Sequence, residues 1–314
     1  MAEGLEMLWG EPVEITGLAP FGDGHSGFTY LIELRAMRWT GELVLRLSPP
    51  GARIAGPADV GRQGRIMAAL HGLGLPAPRV LVADSAGAIG GRSCAAMVRV
   101  PGVEWRSALV RHGNGPVAEL AVRLLHEIGR HPSAEVGMPN EQVTSIIDDL
   151  GRWRSLADRA PESLLGPIHR LYAALVAKVP AQGPPRLVHG DFHYGNLLFD
   201  ESVARLTAVL DWEIATISDQ RLDLGCLALA SFRRRYSDPN PTGGPDVSVD
   251  DLASWYGSPS AEAGWFTAAA GLKYAAILGH NLMQHRRGRR VDHVYEQLWE
   301  TMHELPTDVM ALLD

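Results

Sequence analysis

Over the first hundred residues the apolar positions come in short runs separated by glycine and proline. Residues 12–20, 28–34 and 41–47 are rich in Val, Leu, Ile and Tyr and are bounded by turn formers, which predicts antiparallel strands. Between residues 57 and 74 the spacing changes. Val60, Ile66, Met67 and Leu70 recur at helical intervals, and Gly72 and Gly74 close the run ahead of Pro76 and Pro78. One helix is therefore expected inside a sheet that resumes with apolar runs at 79–83 and 94–100. After Pro101-Gly102 the strand pattern thins out. Val117, Leu120, Leu124 and Ile128 share one helical face within 116–131, and Leu165, Ile168, Leu171, Leu175 and Val176 do the same within 162–179. Further helical runs cover 222–232, 261–284 and 291–303, residues 237–250 read as a Pro/Gly-rich loop, and two short strand-like pieces lie at 186–188 and 206–210. The expectation is an α+β chain in two lobes: residues 1–100 built on an antiparallel sheet with one helix, and residues 101–314 mostly helical, with a hinge near 97–102.

Composition narrows the function classes. The chain of 314 residues is 46% hydrophobic and 21% charged, with a formal net charge of −7, which fits a globular protein and lacks the basic excess of a protein that coats nucleic acid or an anionic membrane. Its two cysteines, Cys94 and Cys226, form no C-x-x-C pair, so neither a disulfide framework nor a thiolate zinc site is indicated. No segment is long and apolar enough to span a membrane, and the first residues carry acids where a secretory signal carries positive charge. A cytoplasmic protein is expected. Sequence says nothing of its oligomeric state.

The densest cluster of functional groups lies between the two short strands of the second part. In Leu187-Val-His-Gly-Asp-Phe-His-Tyr-Gly-Asn-Leu-Leu-Phe199 a carboxylate, Asp191, stands five residues before a carboxamide, Asn196; fifteen residues further on, Leu210 leads into Asp211-Trp-Glu213. Phosphoryl transfer asks for this kind of set: a carboxylate at an acceptor hydroxyl and hard oxygen ligands for Mg²⁺ on the triphosphate. Each residue alone reads as a turn residue; acid, amide and second acid in order between strands do not.

These motifs resemble those of the aminoglycoside phosphotransferase and choline kinase-like family, distant relatives of protein kinases. The resemblance implies a two-lobed protein-kinase-like fold, ATP and Mg²⁺ as cofactors, and a small-molecule hydroxyl as acceptor. It implies that Asp191 is the catalytic base, that Asn196 and Asp211 hold the metal, that His189 and Asp223 support the catalytic loop, and that Glu213 makes an acceptor or second-metal contact. In the first lobe, Gly22-Asp-Gly-His-Ser-Gly-Phe-Thr-Tyr30 is similar to the phosphate-covering loop, which brings in Ser26. Arg46 stands where relatives carry a phosphate-binding lysine, and Gln63 where they carry its glutamate partner; Asp59, one turn earlier, is a further source of negative charge. Met97, Val98 and Arg99 fall at the nucleotide-binding hinge. Arg46 and Asp211-Trp-Glu213 together are most similar to the branch holding kinase domains fused to acyl-CoA dehydrogenases and kinases of 4-hydroxyacyl-CoA catabolism. Two alternatives stay open: antibiotic inactivation, for which Glu213, Asp219, Asp223, Asp246, Asp250 and Asp251 offer acidic groups to a polycationic drug, and a non-catalytic nucleotide-binding regulator. The basic tracts 233–235 and 285–290 read as solvated helix ends, and Trp105, Trp255 and Trp265 as core aromatics.

Overall fold

The computed structural model describes residues 1–21, 28–201, 205–236, 243–289 and 291–314. In chain order its elements begin with α1 (Ala2–Trp9), β1 (Glu14–Pro20), β2 (Phe28–Arg35), β3 (Thr40–Leu47), α2 (Val60–Gly72), β4 (Val80–Ile89), β5 (Arg92–Val98) and β6 (Val103–Glu104). Helices α3 (Trp105–His112), α4 (Asn114–Gly129), α5 (Ile146–Ala157) and α6 (Glu162–Ala177) follow, then β7 (Pro185–Val188), β8 (Leu197–Phe199), β9 (Leu206–Val209) and β10 (Thr216–Asp219). The chain ends with α7 (Arg221–Phe232), α8 (Val249–Tyr256), α9 (Ser260–Arg286), α10 (Val294–Gln297) and α11 (Trp299–Met310). It divides into two units, one of residues 1–103, 133–140 and 197–215, the other of residues 104–132, 141–196 and 216–314.

The first unit is built on a five-stranded antiparallel sheet in the order β1-β2-β3-β5-β4. Strict alternation sends Leu43, Leu45 and Leu47 of β3 into a core shared with Ile32, Leu34, Val82 and Leu5 of α1, and leaves Val44 and Arg46 on the opposite face. Helix α2 lies on β4 and β5 so closely that a Cβ at Gly61 would sit 2.4 Å from the Asp84 carbonyl oxygen. Its N-cap is Asp59, whose carboxylate accepts the Arg62 N–H, with Ser85 and Arg65 also on it. Asp59 is therefore occupied at the helix start and is no partner for Arg46. The hairpin β8–β9 completes the unit, Leu197 opposite Val209.

The second unit is helical around α9, which packs against α5, α6, α7, α8 and α11. In it a β ladder pairs β7 with β10, Val188 opposite Thr216. Three expectations need correction. The run 291–303 is not one helix: Leu298 leaves helical backbone (φ −86°, ψ 9°), splitting α10 from α11, which continues to Met310. The loop expected to reach 250 ends at Ser248, whose capping box with Asp251 starts α8; residues 237–242 of that loop lie outside the described residues. Among the described residues α1, α3 and α5 appear where no helix was read, α5 being started by the Ser145 hydroxyl on the Asp148 N–H. No helix among the described residues is long and apolar enough to cross a membrane.

Candidate active site

In the second unit β7 runs straight into the turn His189-Gly190-Asp191. Gly190 takes φ 85°, a left-handed backbone in which glycine carries no Cβ penalty. The buried Asp223 carboxylate, from the first turn of α7, accepts the His189 N–H at 2.6 Å and the Gly190 N–H at 2.9 Å. The Asp191 N–H donates to His189 Nδ1 at 3.1 Å, which makes His189 a buried support of the turn. Downstream, Asn196 Nδ2 donates to the Asp191 carbonyl at 2.9 Å. That bond fixes the amide and leaves Oδ1 as the atom free to act as an oxygen ligand.

His193 Nε2 lies 3.4 Å from the Asp191 carboxylate. Burial pushes the Asp191 carboxyl up, yet the field and hydrogen bond of His193, followed by the fields of Lys273 and His189, outweigh it and hold the group below the usual carboxylate range. Protein surrounds the group, but its side chain keeps 46% of its surface open, so Asp191 is an ionised acceptor ready for a hydroxyl. Asp223 goes the other way. Burial pushes it up to about 7 against the pull of its two backbone N–H donors.

Asp191 opens onto a cavity of about 120 Å³ between α7 and α9. Leu229, Ala230, Ala270 and Ile277 make its apolar wall, and Lys273 and Arg233 bring positive charge. Among the described residues Asp191 is the one carboxylate lining it. Arg233 is buried over the Tyr274 ring, 3.8 Å from its centroid, so the tract 233–235 is not simply a solvated helix end. Four of the six acids named for a polycation make contacts of their own. Asp219 pairs with Arg221, Asp223 braces the loop, Asp246 pairs with Arg234 and Asp251 caps α8. Trp105 and Trp265 are buried, the latter donating to the Leu175 carbonyl.

In the first unit Arg46 Nη1 meets Asp211 Oδ1 at 3.1 Å. Asp211 is the one non-glycine residue with positive φ (66°) among the described residues, a placement that costs about 1–3 kcal/mol and turns the carboxylate out of the strand direction after β9. Next to it Trp212 is fully buried and its indole N–H donates to the Val209 carbonyl, while Glu213 is half-buried. Gln63 is buried in α2; its Nε2 donates to the Pro57 carbonyl and its Oε1 has no hydrogen-bond partner among the described residues. Met97 is buried opposite Val44, the Val98 N–H donates to the Arg79 carbonyl, and Arg99 reaches Glu42 at 3.4 Å. Ser26 lies outside the described residues. No group of three or more His, Cys, Asp or Glu suited to a metal occurs among the described residues. Asn196 Oδ1 in the second unit and the Asp211 carboxylate in the first are each hard oxygens of the type Mg²⁺ prefers.

A family model described as the phosphotransferase enzyme family, APH, matches residues 17–259. The chain belongs to that family. It is 29% identical over 226 residues to acyl-CoA dehydrogenase family member 10 of Mus musculus, covering 68% of this chain and 20% of that protein. With acyl-CoA dehydrogenase family member 11 of Rattus norvegicus it shares 26% identity over 227 residues, 68% of this chain and 28% of that protein. The chain thus spans between a fifth and three tenths of these relatives' length. Among solved structures, a Ralstonia eutropha protein assigned to the aminoglycoside phosphotransferases superposes with a TM-score of 0.73 at 19% identity, over 99% of this chain and 98% of that one. Aminoglycoside phosphotransferase APH(4)-Ia, in a complex with ADP and hygromycin B, gives 0.64 at 14% identity over the same shares. At these identities the likeness establishes the fold: α+β, of the aminoglycoside kinase type.

Sequence reasoning passed over Lys273 and read Arg233 only as part of a solvated helix end. Both are distant in sequence from the loop that holds Asp191, and neither belongs to the motif.

Proposed function

We propose that this phosphotransferase-family chain moves the γ-phosphoryl group of ATP to the hydroxyl of a small aliphatic acceptor. The observation that carries the reading is Asp191: ionised, held by a braced turn, and open to a small, largely apolar cavity. In this reading the acceptor hydroxyl enters the cavity and donates its hydrogen bond to Asp191. Its oxygen forms a bond to phosphorus as the bond from the γ phosphorus to the β–γ bridging oxygen breaks, and ADP leaves with that electron pair. The proton passes late to the Asp191 carboxylate, which suits a base of low proton affinity because the transition state is loose. Asn196 and Asp211 would hold Mg²⁺, which when bound neutralises charge on the triphosphate. Arg46 would grip phosphate oxygens once released from Asp211, and Ser26 would cover them. Met97, Val98 and Arg99 would bound the adenine site, Gln63 would stand beside Arg46, and Glu213 would reach acceptor or a second metal. His189 and Asp223 would keep the loop in place.

The cavity bears on the acceptor. Ammonium groups of an aminoglycoside would meet Lys273 and Arg233 there, at a cost in low dielectric. A neutral or anionic aliphatic alcohol fits better, and the acyl-CoA dehydrogenase names of the relatives support a hydroxyacyl thioester. The test is Mg²⁺-dependent ADP release with aminoglycosides, macrolides, amino-alcohols, sugars and 4-hydroxyacyl-CoA thioesters, with Asp191→Asn as control. Turnover is expected with the thioesters, none with aminoglycosides, and none in the variant. An aminoglycoside signal would overturn the acceptor class; turnover surviving in Asp191→Asn would overturn the base.

A further inference from the structure

Of the 29 basic residues only two are lysines, Lys178 and Lys273. Lys178 is half-exposed. Lys273 is buried in the middle of α9, and a chain that uses arginine almost everywhere places its compact, three-donor ammonium there. Its Nζ donates to the Gly190 carbonyl and to Cys226 Sγ, the latter at 2.8 Å, and its remaining side faces the Trp153 ring, 5.9 Å from the centroid. The Cys226 thiol, pushed up to about 11 chiefly by burial, is neutral and serves as a soft acceptor. Cys226 also directs its own S–H towards the Gly190 carbonyl at 3.7 Å.

The consequence concerns the turn that leads into Asp191. On its N–H side, Asp223 accepts from His189 and Gly190; on its C=O side, Lys273 donates to Gly190. The turn is clamped on both sides by side chains from two different helices. A guanidinium is a wide planar fork and cannot set one donor between a carbonyl and a sulfur in the same space. A methionine fills the volume but leaves the Gly190 carbonyl without its donor.

We infer that Lys273 is a positioning residue: from α9 it fixes the Gly190 carbonyl and thereby the direction in which Asp191 meets the acceptor hydroxyl. The inference rests on the reading of Asp191 as base. Misplacing a reacting group by about 1 Å costs on the order of 10²-fold in rate. Lys273→Met, folded by circular dichroism and thermal melting, is therefore expected to lose about 10²-fold in kcat while nucleotide affinity stays within about threefold. A kcat close to wild type, or a loss confined to KM, would overturn the inference. Should Lys273→Met not fold, the wild-type chain provides a second test. Labelled with ¹⁵N-lysine it gives two side-chain signals, with Lys178→Arg identifying one. The Lys273 signal is expected to resist solvent exchange and to move in Asp191→Asn while the Lys178 signal stays; a Lys273 signal indifferent to Asp191→Asn would overturn the inference. Turnover retained in Asp191→Asn would remove the base reading itself, whereas a dead Asp191→Asn beside an active Lys273→Met removes only the role of Lys273.

Discussion

Gly225→Ala tests whether the approach of α7 to α9 sets the turn that carries Asp191. Gly225 lies two residues after Asp223 and one before Cys226, where the two helices meet. A Cβ there would stand 2.2 Å from the Phe266 carbonyl oxygen and 2.5 Å from its carbon, against an ordinary minimum of 3.0–3.4 Å. Both clashing atoms are backbone, so no side chain can swing aside, and the helices must part by about 1 Å. In a helix interior alanine gains about 1 kcal/mol over glycine, while overpacking costs about 1–3 kcal/mol. The net effect on stability is a loss of up to about 2 kcal/mol, measured as a shift of the urea midpoint.

The effect on turnover is expected to be larger. Parting α7 from α9 separates Asp223 and Cys226 from Lys273, and about 1 Å at the turn corresponds to roughly 10²-fold in kcat. Gly151→Ala in α5 is the control. Nothing lies within 4 Å of its Cβ, so it should stabilise by about 0.5–1 kcal/mol and leave kcat alone. A Gly225→Ala variant with wild-type kcat, or one as stabilised as Gly151→Ala, would refute the reasoning.

Two further outcomes follow from the site. The Asp223 carboxyl is pushed up to about 7 from 3.8, chiefly by burial, so the folded chain binds its proton more tightly than the unfolded chain. That contribution to stability is complete below about pH 4 and lost as pH rises through 7; urea midpoints of the wild type should fall from pH 5 to pH 8 by more than those of Asp223→Asn, and equal slopes would count against it. On the proposed role of Arg46 in holding phosphate, Arg46→Ala would remove a charge-assisted grip worth about 1.5–3 kcal/mol, which predicts a KM for ATP raised about 10- to 150-fold. Initial rates against ATP check this, and an unchanged KM would take Arg46 out of the phosphate site.

Much of the fold could be read because local pattern and tertiary role agree. The alternation Leu43, Leu45, Leu47 marks β3 and puts Arg46 on the other face; the spacing of Ile66, Met67 and Leu70 marks α2. The turn from His189 to Asn196 was legible for the same reason, its members being contiguous. Asp59 shows where such reading stops. Its distance from Gln63 suggested a shared helical face, but it stands one position outside the helix as a cap, where its carboxylate meets the Arg62 N–H, the Ser85 hydroxyl and the Arg65 guanidinium. Helix α3 was missed because it is short and buries only Trp105 and Ala108, whereas α5 carried a readable signal in the helical spacing of Ile146, Leu150, Trp153 and Ala157 behind its Ser145 cap.

Lys273 is the instructive omission, because a physical signal for it was present. Between Ala263 and Ala276 helix α9 consists, apart from Thr267, Lys273 and Tyr274, of apolar residues and glycine on every side, so it offers almost no solvent face to a charge, and a helix of that kind is largely buried. An ammonium in its middle must then be desolvated, and a desolvated ammonium persists only with acceptors on several sides. The sequence therefore demands partners for Lys273 without saying which. The Gly190 carbonyl is 83 residues away and Cys226 is 47, separations over which no periodicity operates. Only packing supplies the answer, and it supplies one adjoining Asp191, so the same burial that makes the lysine costly places its charge beside the group assigned here as the base.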